Sequence, residues 1–177
     1  MMSSLVITLI GPDRPGLVSA ISDKAAEHGA NWADSLMGDF AGQFAGIVLL
    51  KVPAGKCDAL MTSLRLLESP YLSIAIAKGD SARQAPAARR LQLDLVGHDR
   101  PGIIHVISGQ LAERGVSIEK LQTRIASGAM SGEQMFHMNA QLKVPMALDP
   151  SELRAGLEGL ANELMVDITV EGSVDGS

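Results

Sequence analysis

The sequence predicts an α+β protein built from two copies of a βαββαβ unit. The hexapeptide Gly11–Gly16 (GPDRPG) recurs as Gly97–Gly102 (GHDRPG), each time after a short apolar run and before a run with helical spacing. Aligning Leu5–Asn31 on Leu91–Ser117 with a constant shift of 86 gives 12 identities in 27 positions. After each copy of the hexapeptide, strand and helix patterns follow in the same order. A repeat of this length indicates a duplicated unit.

Each copy starts with a buried strand and an amphipathic helix. Leu5–Ile10 is a short apolar run ended by Gly-Pro, which is typical of a central strand. Asp13 is predicted to cap the next helix, with Pro15 in its first turn and Gly29 as its C-terminal glycine. The predicted helical stripe is Leu17, Val18, Ile21 and Ala25. The corresponding residues of the second copy are Asp99, Pro101, Gly115 and the stripe Ile103, Ile104, Ile107 and Leu111.

A hairpin, a second helix and a closing strand complete each copy. The predicted hairpin strands are Asn31–Asp39 with Gln43–Val52, and Ser117–Ala126 with Gln134–Val144. The shift grows to 92 across the second hairpin, which places six extra residues in the Gly/Ser-rich tip 127–132. The predicted second helices carry Leu60, Met61, Leu64 and Leu67, and Leu153, Leu157, Leu160 and Leu164. The predicted closing strands are Tyr71–Ala77 and Val166–Glu171.

This order of elements predicts the arrangement within each unit. Right-handed crossovers convert β-α-β-β-α-β into a four-stranded antiparallel sheet with two helices on one face, which is a ferredoxin-like unit. We expect a first domain at residues 1–80, a polar linker at 81–90 and a second domain at 91–177.

Composition argues against several classes of function. The net charge is −5, with 15 basic against 20 acidic residues, and only 3% of residues are aromatic. Nucleic acid is therefore a disfavoured partner, because phosphate binding needs clustered positive charge and base stacking needs rings. The single Cys57 allows no internal disulfide. Without a basic leader or an apolar run near the roughly 20 residues that span a bilayer, we expect a soluble, cytoplasmic protein with no membrane partner.

The sequence contains no pattern typical of catalysis. His28, His98, His105 and His137 lack metal-ligand spacing, so no metal site is predicted. Neither a phosphate-binding loop nor a dinucleotide fingerprint is present, and no cofactor is expected. An arrangement of Ser, His and Asp or of Cys and His is not evident. We therefore expect a protein that is not an enzyme.

The two predicted sheets differ on the face turned away from the helices. Period-two alternation gives the second copy a polar outer face, and gives the first an apolar outer face. A second subunit, elements of the other copy or a partner protein could cover the apolar face, and a homodimer is the first choice. The predicted outer residues are Val6, Thr8, Ile10, Ala45, Ile47, Leu49, Lys51, Ala75 and Ala77 in the first copy, and Gln92, Asp94, His137, Asn139, Gln141, Lys143, Asp167, Thr169 and Glu171 in the second.

The repeated turn allows a structural and a functional interpretation. Its residues could do no more than shape and cap a helix, with the arginine in solvent. Alternatively, the unpaired N–H groups of a helix N-terminus could receive a carboxylate. Asp13 with Asn31, or Asp99 with Ser117, could then receive an ammonium group, which together suits an α-amino acid. His98 replaces Pro12 in the second turn and could also contact a ligand.

These features resemble the ACT domain, a small regulatory module that binds small molecules. The resemblance rests on the βαββαβ order, the Gly-x-Asp-Arg-Pro-Gly turn, and the Gly-Ala-Asn or Gly-Val-Ser entry to the second strand, and it extends from Leu5 to Gly172. Two units without a catalytic domain resemble the glycine cleavage system transcriptional repressor family. ACT domains bind amino acids at interfaces between units. The resemblance implies ligand contacts at Gly11, Asp13, Gly16 and Asn31, and at Gly97, Asp99, Gly102 and Ser117, while His98 is a candidate from its place in the second turn alone.

The leading hypothesis is therefore an amino-acid sensor that regulates transcription, with glycine as the candidate ligand. Members of the resembled repressor family act through a separate transcription factor, which implies a partner regulatory protein and no direct contact with nucleic acid. The alternative is an interaction module that needs no ligand and regulates an enzyme in trans.

Overall fold

The order β-α-β-β-α-β occurs twice in the structure, a computed structural model that describes residues 1–79, 87–127 and 132–172. The chain divides into two compact units, Met1–Gln84 and Ala85–Ser177. Most of the predicted linker, and most of the predicted mobile tip 127–132, lie outside the described residues. A strand resumes at Ala88, three residues before the predicted start of the second domain. The exact domain limits stay a prediction.

Each unit forms one antiparallel sheet. The first has the strand order β2-β3-β1-β4 and the second has β6-β7-β5-β8. Together with the helices, these sheets are two ferredoxin-like units, which confirms the predicted fold class. Unit 1 contains β1 Met2–Pro12, α1 Leu17–Glu27, β2 Asn31–Phe40, β3 Gln43–Pro53, a short 3₁₀ helix Ala54–Lys56, α2 Cys57–Arg65 and β4 Ser73–Gly79. Unit 2 contains β5 Ala88–His98, α3 Ile103–Glu113, β6 Ser117–Ser127, β7 Gln134–Pro145, α4 Pro150–Leu164 and β8 Val166–Gly172.

The helical stripes and the inner faces of the sheets form one core in each unit. Leu, Ile and Val side chains supply most of both cores. Val18 departs from its predicted stripe, because 43% of its surface is exposed. No helix in the described parts of the chain is long and apolar enough to cross a bilayer. Buried helical residues are Leu17, Ile21, Ala25, Cys57, Leu60 and Leu64 in unit 1, and Ile103, Ile107, Leu111, Leu153, Leu157 and Leu160 in unit 2.

Cross-strand pairing defines the outer faces and includes one irregularity per unit. Thr8 pairs with Ile47 in unit 1, and Asp94 pairs with Asn139 at the equivalent place in unit 2. The predicted outer residues therefore share a face, since paired residues point to the same side of a sheet. The register of the edge strand shifts between Trp32 and Asp34, and again between Ile118 and Lys120. Each shift is a β-bulge with one unpaired residue.

The predicted helix starts are wrong in both units. Gly16 and Gly102 are the N-cap residues, with φ of 94° and 96°, and no side chain caps either helix. Asp13 and Pro15, like Asp99 and Pro101, lie before the cap. The left-handed backbone at this point is accessible to glycine, which lets the chain reverse in a tight turn before the first helical residue.

The predicted helix ends are confirmed at Gly29 and Gly115, whose φ values are 66° and 68°. In unit 1, the Gly29 N–H donates to Ala26 O at 2.9 Å and the Ala30 N–H donates to Ala25 O at 2.8 Å. The same two bonds recur at the end of α3. This pattern is a Schellman motif, which satisfies the last helical carbonyls and directs the chain into the next strand.

The second helix of unit 1 is shorter than predicted. It ends at Arg65, so Leu67 follows the helix instead of continuing its stripe, although its side chain still packs against the core. The closing strand starts at Ser73, and Tyr71 lies in the preceding turn with 70% of its surface exposed. Pro70 is incompatible with a helix as long as that of unit 2, because it has no N–H to donate and disfavours helical backbone in the residue before it.

Candidate functional site

The turn between the first strand and the first helix has the same geometry in both units. The Gly16 carbonyl accepts the Ala20 N–H at 2.9 Å, and the Gly102 carbonyl accepts the Val106 N–H at 3.0 Å. The first helical N–H groups have no side-chain cap in either unit. A Cβ added at Gly16 or Gly102 would meet no atom within 4 Å. Each turn therefore presents open space beside a helix N-terminus, where an anion is favoured.

Gly11 and Gly97 have a structural role that the sequence did not reveal. Both lie within the first strand of their sheets, where the turn before the closing strand approaches Gly11 and the first residue of the closing strand approaches Gly97. A Cβ at Gly11 would overlap the Tyr71 carbonyl oxygen, and a Cβ at Gly97 would overlap the Val166 side chain. The glycines therefore permit close packing at the end of each sheet.

Asp13, Asp99 and His98 lie on the surface of the turns. The backbone N–H groups of the two aspartates donate to Gly42 O at 3.1 Å and Gln134 O at 2.9 Å, which ties each turn to the neighbouring hairpin. His98 Nδ1 lies 3.5 Å from a carboxylate oxygen of Glu133. The aspartate side chains are exposed and make no hydrogen bond within the described residues, so both can receive a ligand group.

The two arginines of the repeated motif differ. Arg14 is exposed, as the sequence predicts, whereas Arg100 is half-buried. One terminal guanidinium nitrogen of Arg100 is buried and has no hydrogen-bond partner among the described residues. A buried donor without an acceptor is costly, so this nitrogen is a candidate for pairing with an added acceptor. The sequence does not indicate Arg100 as a candidate, since the motif alone does not predict burial.

Asn31 and Ser117 are not near the turns of their own units. Asn31 pairs with Lys51, which also pairs with Ser4, and the Lys51 Nζ donates to Ser4 Oγ at 2.7 Å. Gly11 lies seven residues further along β1, or about 23 Å at the usual rise of a strand. The helix carries the chain back along the sheet before β2 begins. The expectation that Asp13 and Asn31 jointly bind one ammonium group is therefore wrong within a single unit, and unit 2 has the same separation.

A cleft of about 610 Å³ lies at the end of the unit 1 sheet. It is open to solvent and begins at Gly11 and Pro12, the first residues of the repeated turn. The sequence does not predict this cleft, although Pro70 indicates an interruption of the chain at this place. The remaining lining residues are Ile10, Gln43, Glu68, Ser69, Pro70, Tyr71, Leu72 and Ser73.

In the described parts of the chain, no three His, Cys, Asp or Glu residues are grouped so as to hold a metal ion.

Comparison with known proteins assigns the family. A family model for the ACT domain matches residues 3–70 and 89–171, one segment in each unit. The glycine cleavage system transcriptional repressors of Escherichia coli and Shigella flexneri are each 24% identical over 174 residues, which covers 97% of this chain and 88% of theirs. A protein of unknown function from Galdieria sulphuraria has a crystal structure with a TM-score of 0.84 and 28% identity, covering 98% of this chain and all of that one. The chain therefore belongs to the ACT domain family, with one ACT unit in each half.

Proposed function

We propose that this protein is an amino-acid sensor that regulates transcription through a partner protein. The observation that carries the proposal is the uncapped helix N-terminus built twice behind the same turn, with the unpartnered Arg100 nitrogen beside the second. Membership of the ACT family and likeness to two transcriptional repressors along almost the whole chain support a regulatory role.

The chemistry of the turns suits the two charged ends of an α-amino acid. The carboxylate lies at the free N–H groups after Gly16 or Gly102, where the helix dipole favours negative charge. The ammonium group lies against the exposed carboxylate of Asp13 or Asp99. Glycine is the candidate ligand, because the similar repressors are named for the glycine cleavage system. Its lack of a side chain also suits sites whose recognised groups are all polar.

A second copy of the chain completes this proposal. Asn31 and Ser117 lie about 23 Å from the turns of their own units, so a ligand that they share with a turn needs a turn from another ACT unit, and we propose that a second copy of the chain provides it. Unit 1 offers a surface for such an association. Its outer face exposes Ile10, Leu36 and Ile47, whereas the outer face of unit 2 is polar. Bound amino acid then favours one arrangement of the two copies, which the regulatory partner recognises.

The partner is proposed to be a transcription factor rather than DNA, and the compartment to be the cytoplasm. An excess of acidic over basic residues repels the phosphate backbone, and few aromatic rings are available for stacking. The proposed partner is therefore a protein that contacts the surface of this chain.

Calorimetric titration of the full chain with the twenty amino acids tests ligand binding. We expect glycine to bind at submillimolar concentration, and Asp13→Ala and Asp99→Ala each to weaken binding about tenfold by removing a charge-assisted contact. Arg100→Gln should weaken binding at the second turn, while Arg14→Gln is its matched control. Asp39→Ala controls for the loss of an exposed acid. Failure of every amino acid to bind below millimolar concentration would contradict the proposal.

Sedimentation of outer-face variants tests the association. We expect the chain to be a dimer at micromolar concentration, and Ile47→Asp and Leu49→Asp to dissociate it because both place a charge on the apolar face. Gln141→Asp is the matched control, since Gln141 holds the position of Leu49 on the polar outer face of unit 2. A monomeric wild type, or equal effects of all three variants, would exclude this dimer.

The apolar outer face of unit 1 also supports the second candidate function, a module that regulates an enzyme in trans without a small ligand. Capture of the partner by this chain, measured with and without glycine, distinguishes the sensor from the module. Capture that changes with added glycine supports the sensor, and capture that does not change supports the module.

A further inference from the structure

The cleft of unit 1 arises where the second helix stops early. The segments Cys57–Leu72 and Pro150–Met165 occupy equivalent places between the hairpin and the closing strand. In unit 2, the helix fills this place as far as Leu164. In unit 1, the helix ends at Arg65, and residues 66–72 form turns instead of helix. Ser69 and Leu72 close that turn with two backbone hydrogen bonds of 3.1 Å.

This turn is fixed in place against the sheet. The backbone of Tyr71 lies so close to β1 that only a glycine fits at position 11. The Tyr71 N–H donates to Ser69 Oγ at 3.3 Å. The turn therefore fixes the Tyr71 backbone beside β1, and Tyr71 lines the cleft together with the apolar residues Ile10 and Pro12.

The polar groups of the cleft are available to a ligand. The side chains of Gln43, Glu68, Tyr71 and Ser73 line it and make no hydrogen bond or ion pair with the described residues. Glu68 is the one charged residue in the lining. An aromatic ring and an unpaired carboxylate that line one cleft attract cations, since the face of the ring is electron-rich and the carboxylate supplies a full charge.

We propose that this cleft binds a small organic ammonium ion with an apolar body. The ammonium group pairs with the Glu68 carboxylate and the Tyr71 ring, and the body packs against Ile10 and Pro12. Gln43 and Ser73 offer hydrogen bonds to a polar group at the far end of the ligand. The volume of about 610 Å³ lies within the range of small-molecule sites. This site adjoins the proposed amino-acid site, because Gly11 lines the cleft and is also one of the contacts that the resemblance implies, whereas Asp13 and Gly16 lie outside the lining.

Titration of the full chain with 2-phenylethylammonium and with 2-phenylethanol tests the proposal, because the two probes share a body and differ in charge. We expect the ammonium ion to bind at least about fivefold more tightly than the alcohol. Glu68→Gln should remove this preference. Tyr71→Phe should keep it, whereas Tyr71→Ala should weaken the binding of both probes. Glu158→Gln, an exposed acid on α4, is the matched control and should change nothing.

A second variant tests the origin of the cleft. The double change Ser69→Glu and Pro70→Ala removes the helix-breaking residue, so α2 should extend, helical circular dichroism should rise and both probes should lose affinity. The proposal is overturned if the ammonium ion does not bind at millimolar concentration, if the alcohol binds equally well, or if Glu68→Gln leaves the preference intact. Loss of amino-acid binding in Asp13→Ala with unchanged probe binding would show that the two sites are independent.

Discussion

Two segments of equal length, Cys57–Leu72 and Pro150–Met165, fold differently in the two units. Nine residues of the first are helical, against fifteen of the second. Their buried stripes correspond, because Leu60 and Leu64 pack as Leu153 and Leu157 do. The core-facing turns of the two helices are therefore alike, although the residues that follow them differ. Near the end of α2, unit 1 has a proline, a surface turn and a cleft where unit 2 has packed helix.

The largest effect is expected from moving the proline. Glu163→Pro places a proline in α4 at the position equivalent to Pro70, where it removes a helical hydrogen bond and clashes with the carbonyl one turn earlier. Unit 2 has no compensating turn. We expect the free energy of unfolding to fall by about 3 kcal/mol, measured by urea denaturation, with a loss of helical circular dichroism. Glu163→Ala is the control, and equal stability of the two variants would refute this account of the helix end.

A smaller effect is expected from adding a methyl group where the closing strands approach. Gly11→Ala and Gly97→Ala should each lower the free energy of unfolding by about 1–3 kcal/mol through overpacking. The two differ in what they displace. Val166→Ala should rescue Gly97→Ala, because the overlap is with a side chain. Tyr71→Ala should not rescue Gly11→Ala, because the overlap is with a backbone carbonyl. Rescue in both pairs would show that the Tyr71 turn is not fixed against β1.

The smallest effect concerns the starts of the same two helices. Hydrogen bonds from the Ser151 side chain and backbone lower the pKa of Asp149, which caps α4, whereas α2 has no side-chain cap. Because the folded pKa is depressed, this stabilisation is present above the unfolded pKa and is lost as the pH falls through the folded value. Urea denaturation from pH 7 into the acid range should show a weaker pH dependence in Asp149→Ala than in wild type. Asp23→Ala is the control, and an unchanged pH dependence in Asp149→Ala would contradict the capping role.

Much of the fold is predictable from the sequence, because buried faces impose strict periodicity. The strand order and both Schellman glycines follow from these patterns and from local backbone chemistry. The helix starts do not. Asp13 and Pro15 have the residue types of a cap and a first turn, but the left-handed Gly16 lies between them and the helix. The end of α2 was mispredicted because Leu67 keeps the helical spacing beyond the last helical residue.

Less of the candidate site is predictable, because it depends on distances between elements. The sequence places Asp13 and Asn31 eighteen residues apart, but not at opposite ends of the sheet. Arg100 is half-buried and Arg14 is exposed, although both lie in the same sequence, Asp-Arg-Pro-Gly. Glu68 and Tyr71 line one cleft because the chain from Ser69 to Leu72 forms a turn. No periodic pattern in the sequence predicts that turn.

The two β-bulges lie at equivalent positions in the two units. Both interrupt the edge strand after its second paired residue, at Ala33 and at Glu119, although neither these two residues nor their neighbours are the same. We infer that an irregularity shared by both halves at one position was present in the unit before it was duplicated. Pro70 and the apolar outer face occur in one half, which is the pattern expected of divergence after duplication. The shared features therefore indicate what the two units have in common, and the unshared ones indicate where they differ.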